Sequence, residues 1–407
     1  MLHTSDWHVG KAIRGHSRAD EHRDVLAEIG AVAEAEDVDL VVVAGDLFDS
    51  AAPTATAERL VYDALLRLAG VAPVVVVSGN HDNGRRLDAV APLLALGRVT
   101  LAVEPRSPAD GGVVALAAAD GTPVQVALLP FVSQRAIVRA DDLMRDAAFQ
   151  NAQSYAERLR TVIAALSAGF GGDAVNVLAA HLFVAGGALG GGERPSHLVD
   201  EYAVSAVDFP ATASYVALGH LHRPQVIAGA TAIHYCGSPL QLDFGEEQQP
   251  KQVNVVTVEP GLPAKVRPVA LTSGRRLVTV TGTVDDLGAV APTVDGAWIR
   301  ARVTEPRRAG LADEVRRALG DGVVDIRIEH DDPARPRRRR RSLEGRSPGE
   351  LFAAYLVDRE VHDPRLQAAF DALHEEITEP AAATADSVTA DSVTADSVTA
   401  DSGTAPG

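Results

Sequence analysis

Between residues 21 and 36, Val25, Leu26, Ile29, Val32 and Ala33 recur at helical spacing with charges between them; the chain then runs into DLVVVAGD, an unbroken apolar stretch ending on Gly45 and Asp46. The first pattern predicts an amphipathic helix and the second a strand buried on both faces. The pair recurs where AERLVYDALLRLAG leads into APVVVVSGNHD. Helices alternating with doubly buried strands predict an α/β architecture, whose polar strand ends collect at the carboxyl edge of the sheet. PVQVALLP, AVNVLAAH, SYVALGH and KQVNVVTVE read as further strands, and two of them end on histidines, His181 and His220.

After about residue 268 the texture changes. RRLVTVTGTVDDL, GAWIRARVT, LADEVRRALG and VVDIRIE read as strand, strand, helix and strand, a module of roughly 60 residues near the lower end of domain size. The pattern divides the chain into a main domain over 1–265, a small α+β domain over 270–332, a basic linker over 333–346, a helical segment over 347–378 and a tail over 379–407. In the helical segment Ser347 and Glu350 form a capping box, and Leu351, Tyr355 and Leu356, then Leu366, Ala369, Phe370 and Leu373, form apolar stripes suited to a partner groove. The tail repeats TADSV, which has almost nothing to bury, so disorder is expected there.

Composition narrows the class. The 407 residues are 46% hydrophobic and 23% charged, ordinary soluble usage, and the apolar runs are strand length rather than the ~20 residues of a membrane span. No signal-peptide pattern opens the sequence and Cys236 is its single cysteine, so a cytoplasmic, nucleoid-associated protein without internal disulfides is expected. A formal charge of −17 argues against coating nucleic acid by bulk attraction, although metal ions or local basic patches can still supply a positive field where a phosphate sits. RPRRRRR at 335–341 reads as a solvated linker with incidental DNA contact. AGGALGGGERP lacks the Lys-Ser/Thr of a phosphate-cradling loop and reads as a mobile loop beside His181.

Five polar clusters fall where strands end: Asp6 with His8; Asp46 and Asp49 of GDLFD; Asn80, His81 and Asp82 of GNHD; His181 of AAHLF; and His220 with His222 of GHLH. Each alone is a common turn or cap. Together they offer two carboxylates (Asp6, Asp46), one amide carbonyl (Asn80) and four imidazoles (His8, His181, His220, His222). That exceeds one tetrahedral zinc and contains no thiolate. It suits two divalent ions sharing a carboxylate, with manganese or iron favoured over magnesium. Two ions about 3.5–4 Å apart suit an in-line displacement at phosphorus, so phosphate ester hydrolysis is the expected reaction. His81 stands outside the ligand count and is the candidate catalytic residue, as a proton donor to the leaving group or a stabiliser of transferring charge.

Asp-x-His, Gly-Asp-x-x-Asp, Gly-Asn-His-Asp, a single His and Gly-His-x-His, in that order, resemble the calcineurin-like metallophosphoesterases. LHTSDWHVGK, GDLFDSAAPT, GNHDNGRRL, GHLHRPQ and YCGSPLQLDFGE narrow the likeness to the bacterial nuclease subunits that act with the SbcC ATPase. It runs from residue 1 to about 260, loosens through the small domain and returns in SPGELFAAYL. The resemblance implies two mixed β-sheets sandwiched between helices, a small DNA-capping domain, and C-terminal helices that bind the base of the ATPase coiled coil. It implies one ion on Asp6, His8 and His222, another on Asn80, His181 and His220, Asp46 bridging, and His81 as the catalytic histidine. Asp49 stands where other branches of the family tend to have histidine. The implied activity is manganese-dependent exonuclease cleavage of duplex DNA ends and endonuclease opening of hairpins and single strands, with self-association as a dimer. The relatives usually carry a few residues ahead of Leu2, which makes the first strand here short.

Two other functions are compatible with these motifs: a phosphatase or phosphodiesterase of small phosphoesters using the same metals, and a scaffold that binds DNA and its ATPase without cleaving. The small domain, the C-terminal helices and the flanking segments count against the first. The complete set of seven proposed ligands and His81 counts against the second.

Overall fold

A computed structural model describes residues 1–133, 155–193 and 203–329 and, further on, 352–353, 355–357, 363 and 365–370. The Arg run at 335–341, the Ser347/Glu350 capping box, Leu351, Leu373 and the TADSV repeats lie outside the described residues.

The first sheet begins with β1 (Leu2–Thr4), β2 (Val41–Ala44), β3 (Val74–Val77) and β4 (Val99–Ala102), all parallel, and is completed by β11 (Gln252–Thr257), antiparallel to β1, and β12 (Lys265–Ala270), antiparallel to β11. Its order is β12-β11-β1-β2-β3-β4. The second sheet holds β5 (Val113–Ala117), β6 (Pro123–Leu129), β7 (Val175–His181), β8 (Tyr215–Gly219), β9 (Gln225–Ile227) and β10 (Ile233–Tyr235), in the order β5-β6-β7-β8-β10-β9. Here β6, β7, β8 and β10 are parallel and the two edges antiparallel. Both sheets are therefore mixed, as expected.

Side-chain alternation explains how the sheets stack. In β2, Val41 and Val43 point to α1 (Ala19–Ala35) and α2 (Ala55–Val71), whereas Val42, with Val75 and Val77 of β3, points to the other sheet and shares a layer with its Val126, Val177 and Ala217. Every residue of β2 is buried, which is why its sequence shows no alternation. Burying one such valine contributes about 1.5–3 kcal/mol. On the far side, α4 (Tyr155–Ser167) covers the second sheet with Leu159, Val162, Ile163 and Leu166. β1 has only three residues but is paired on both edges, Leu2 lying opposite Val41 of β2 and Val255 of β11.

α3 (Gly84–Leu96) follows GNHD directly, capped by Asn83, whose side-chain oxygen accepts the Arg86 amide hydrogen at 3.2 Å. Pattern reasoning missed this helix because Pro92 lies inside it and only Leu87 and Leu94 are buried.

The small module is a three-stranded parallel sheet of β13 (Leu277–Gly282), β14 (Trp298–Val303) and β15 (Val323–Ile328), covered by α5 (Val284–Val290) and α6 (Leu311–Leu319). The residue pattern predicts no helix between the first two strands. α5 is short, and a capping box of Thr283 and Asp286 starts it. The described residues beyond 332 form a separate unit in which Phe352 stacks on Phe370 with ring centroids 4.2 Å apart. Among the described residues no helix is long and apolar enough to cross a membrane.

Candidate metal centre

The carboxyl ends of β1, β2 and β3 in one sheet face those of β7 and β8 in the other, and every proposed site residue leaves from one of these ends. The chain must turn sharply to aim them inward. Asp6, His8, Asp46 and His220 adopt positive φ values of 52°, 45°, 51° and 105°. Non-glycine residues seldom do so, at a cost of roughly 1–3 kcal/mol each, and such strain concentrates at functional sites. Main-chain bonds hold the turns: the Asp6 amide donates to the Gly45 carbonyl at 2.9 Å and the His8 amide to the Asp46 carbonyl at 3.0 Å. Asp82 clamps the next loop by accepting from the amides of Gly79 (2.8 Å), Phe48 (3.0 Å) and Leu47 (3.2 Å). Gly219 is required for a different reason, since a Cβ there would stand 1.7 Å from the Ala44 carbonyl oxygen.

All eight predicted residues come together; Asn80 is half-buried and the other seven are buried. His8 Nε2 lies 3.1 Å from His222 Nε2 and 3.4 Å from Asp46 Oδ2. Across Asp46, His181 Nε2 stands 3.5 Å from the same carboxylate oxygen and 3.0 Å from Asn80 Oδ1, which in turn meets His220 Nδ1 at 2.9 Å. Asp6 accepts from the His220 amide at 3.0 and 3.2 Å and from Ser5 Oγ at 2.6 Å. Ligand atoms of Asp6, His8 and His222 lie within 4.8 Å of one another, as do those of Asp6, Asp46 and His181.

The donor set fits cations. His181 Nδ1 stands 2.9 Å from the Ala44 carbonyl, which can only accept, so Nδ1 carries the proton and Nε2 presents a lone pair. That lone pair faces the Asp46 carboxylate oxygen. Burial pushes His181 down to about 3, so the ring does not protonate to relieve the contact near neutral pH. Burial likewise drives His8 well below its ordinary value, and it raises the Asp6 carboxyl to about 6 against the opposing pull of His222 and Ser5. Imidazole nitrogens and carboxylate oxygens converging in this way are what a divalent ion satisfies. No thiol takes part: Cys236 is buried 3.1 Å from Ser5 Oγ.

His81 sits at the rim of this nest. Its amide donates to Asp46 Oδ1 at 2.8 Å, its Nδ1 donates to the Asp49 carbonyl at 2.7 Å, and its ring lies edge-on to His8 at 4.6 Å. Asp49 therefore acts through its main chain on His81. Its carboxylate stands 3.6 Å from His8 Nδ1 and 3.1 Å from Lys11 Nζ. Burial opposes ionisation of Asp49, but His8 and Lys11 hold its carboxyl well below the usual range.

Sequence reasoning missed a set of supporting residues. Glu246 is fully buried and accepts from His222 Nδ1 at 2.9 Å and Lys251 Nζ at 2.7 Å. Glu193 accepts from the amides of Gly190 (2.6 Å), Gly191 (2.7 Å) and His222 (3.1 Å). The glycine-rich loop read as mobile and beside His181 is thus held by Glu193 against His222. A Cβ on Gly192 would lie 2.8 Å from Glu246 Oε1 and 3.0 Å from His222 Nδ1, so packing rather than mobility accounts for the glycines. Phe131 stacks over His220 at 6.2 Å and gives the site an apolar wall. The signal for Glu246 lay in LDFGEEQQPK, an acid and a lysine beside a Gly turn, but no period marked it as buried.

Two mixed sheets between helices, with an imidazole and carboxylate nest at their shared edge, define a metallophosphoesterase. A family model described as calcineurin-like phosphoesterase matches residues 1–224. The chain is 36% identical over 355 residues to the SbcD subunit of nuclease SbcCD from Bacillus subtilis, a match covering 83% of this chain and 88% of the relative. It is 37% identical over 259 residues to the SbcD subunit of Rhodobacter capsulatus and 30% identical over 275 residues to that of Escherichia coli K12. Those two matches cover 60% and 64% of this chain and 63% and 65% of the relatives. The chain belongs to the SbcD family of calcineurin-like phosphoesterases and is a metal-dependent phosphodiesterase.

Proposed function

We propose that the protein is a manganese-dependent DNA nuclease subunit that cleaves duplex ends and opens hairpins and single strands together with an SbcC-type ATPase. Asp6, His8 and His222 would hold one ion, Asn80, His181 and His220 the other, with Asp46 between them. The observation that carries this reading is the position of Asp46 Oδ2, 3.4 Å from His8 Nε2 and 3.5 Å from His181 Nε2. When bound, two such ions supply Lewis acidity for activating water and neutralising the phosphodiester. The chain's own residues do the rest. His181 and His222 are locked by the Ala44 carbonyl and Glu246, so their Nε2 atoms are pre-aimed. His81 is fixed through Nδ1–H on the Asp49 carbonyl, so its imidazolium form, protonated at both nitrogens, is the one whose Nε2 would pass a proton to the leaving oxygen or stabilise charge on the phosphoryl group. The small module over 270–332 would cap the DNA, and the segment over 347–378 would engage the ATPase coiled coil. Nucleotide binding would reside in that ATPase.

Self-association belongs to the same reading. Leu66 on α2 and Leu93 and Leu96 on α3 are 47%, 69% and 85% exposed, a concentration of apolar surface that a second copy would cover. The cytoplasm is the proposed compartment.

The test uses end-labelled duplex and hairpin DNA with manganese, with and without the ATPase subunit and ATP, comparing the native chain with His81→Asn. Metal-dependent cleavage lost in His81→Asn is expected. Turnover of small phosphoesters with no DNA cleavage under any condition would overturn the nuclease assignment in favour of a small-substrate phosphodiesterase.

A further inference from the structure

The nest of site histidines is anchored unevenly. His181 is held by a main-chain carbonyl inside the sheet core, but His222 lies past the end of β8 and depends on side chains. Its ring Nδ1 meets Glu246 Oε1 at 2.9 Å. The other Glu246 oxygen takes the Lys251 ammonium at 2.7 Å and the Leu242 amide at 3.0 Å. Lys251 also donates to the His222 carbonyl at 3.2 Å and to Ser238 Oγ at 2.8 Å. A carboxylate on Nδ1 keeps a proton there and aims Nε2 toward the space shared with His8 and Asp6.

The turn that carries Glu246 has a second set of contacts. Gln241 Oε1 accepts the Leu277 amide of β13 at 2.7 Å, while its Nε2 donates to the carbonyls of Glu246 (3.2 Å) and Glu247 (3.0 Å). The next carboxylate, Glu247, accepts the Thr279 amide at 2.9 Å and the Thr279 hydroxyl. Phe244, between them, packs with Ile13, Leu277 and Trp298 beneath the Arg300 guanidinium, 4.1 Å away. One seven-residue turn, 241–247, thus grips His222 on one side and the first strand of the small module on the other.

We infer that Glu246 is the positioning residue for the His222 side of the metal centre, and that its turn fastens that side alone to the small module. The inference rests on the metal reading given above. A change in how β13 seats on residues 241–247 is transmitted to His222 and not to His181, whose anchor lies in the sheet.

Manganese binding to the full chain, followed by calorimetry and by the electron paramagnetic resonance signal of a coupled ion pair, tests this without activity. Wild type is expected to bind two ions. Glu246→Ala is expected to weaken one ion by about 10- to 100-fold, to replace the coupled signal by that of a single ion, and to spare the other site. Glu246→Gln, which keeps an acceptor for Nδ1, restores most of the loss. Gln241→Ala, whose hydrogen bonds among the described residues reach none of the proposed ligands, weakens the same ion by a smaller factor. If Glu246→Ala does not fold, Gln241→Ala decides by the same criterion. Two ions bound as in wild type by Glu246→Ala, or by Gln241→Ala where Glu246→Ala does not fold, or both ions weakened equally, overturn the inference. A wild-type chain that binds no manganese overturns instead the metal reading beneath it.

Discussion

Arg18 and Glu21, at the start of α1, pin the main domain to the small module, and Arg18→Ala measures how much that pin holds. Arg18 is 2% exposed and donates from Nε to Glu21 Oε1 at 3.0 Å, from Nη2 to Oε2 at 2.8 Å, and from Nη1 to the Gln241 carbonyl. Glu21 also accepts the Trp298 indole N–H at 2.8 Å and the Arg275 amide at 2.8 Å. Removing the guanidinium leaves a buried carboxylate with two neutral donors and no counter-charge. Stranding one member of a buried pair costs about 3–5 kcal/mol, a large part of a total stability of roughly 5–15 kcal/mol. Replacing both, Arg18→Met with Glu21→Leu, strands no charge and is expected to recover most of the loss. The assay is urea unfolding followed by Trp298 fluorescence in a Trp7→Phe background. With a slope near 3 kcal/mol/M, the midpoint falls by roughly 1–1.7 M in Arg18→Ala. A loss under about 1 kcal/mol would refute the reasoning. Acid adds a second readout. Burial would raise the Glu21 carboxyl, but Arg18, Trp298 and Arg275 together hold it below its ordinary 4.5. A depressed folded-state value means the contribution is complete above about pH 4.5 and is lost as pH falls through the folded-state value. Glu21→Gln is expected to lack that acid-side loss.

Three further outcomes are expected. His81→Asn retains manganese binding by calorimetry while its phosphodiesterase rate falls by about 10²–10⁴-fold, whereas loss of both together would make His81 structural. Gly219→Ala sets a methyl against the Ala44 carbonyl and the His181 ring and costs about 1–3 kcal/mol in thermal unfolding, with weakened metal binding; an unperturbed protein would contradict the close approach described. Leu93→Glu with Leu96→Glu leaves the fold intact by circular dichroism and gives a monomer in sedimentation, while an unchanged association state would remove α3 from the contact.

The site was more legible in the sequence than the fold around it. Asp46, Asn80, His181 and His220 each come after a run of buried apolar residues, and a parallel strand delivers the residues at its carboxyl end to one edge of the sheet, so their meeting could be read from order alone, whereas Asp6 follows the mostly polar LHTS and was legible only from its motif. Glu246 and Glu193 could not be read that way, because their importance lies in bonds to His222 across separate loops. β4, β5, β9, β10 and β12 also escaped: edge and short strands such as β5, with its half-exposed VVALA, carry weak patterns. α4 was missed because its stripe has no clear start signal in the sequence before it, and α3 because a proline interrupts it.

The division of the proposed ligands between two sheets has a consequence for how the protein acquires its metals. Asp6, His8, Asp46 and Asn80 follow strands of the first sheet, and His181, His220 and His222 follow strands of the second. On the proposed assignment neither ion would have its full set within one sheet. During synthesis, therefore, loading would wait until the segment through His222 has emerged and the halves have docked, and once in place each ion would act as a clasp across the seam. Removing the metal would then be felt first as slippage between sheets, before any strand within a sheet lets go.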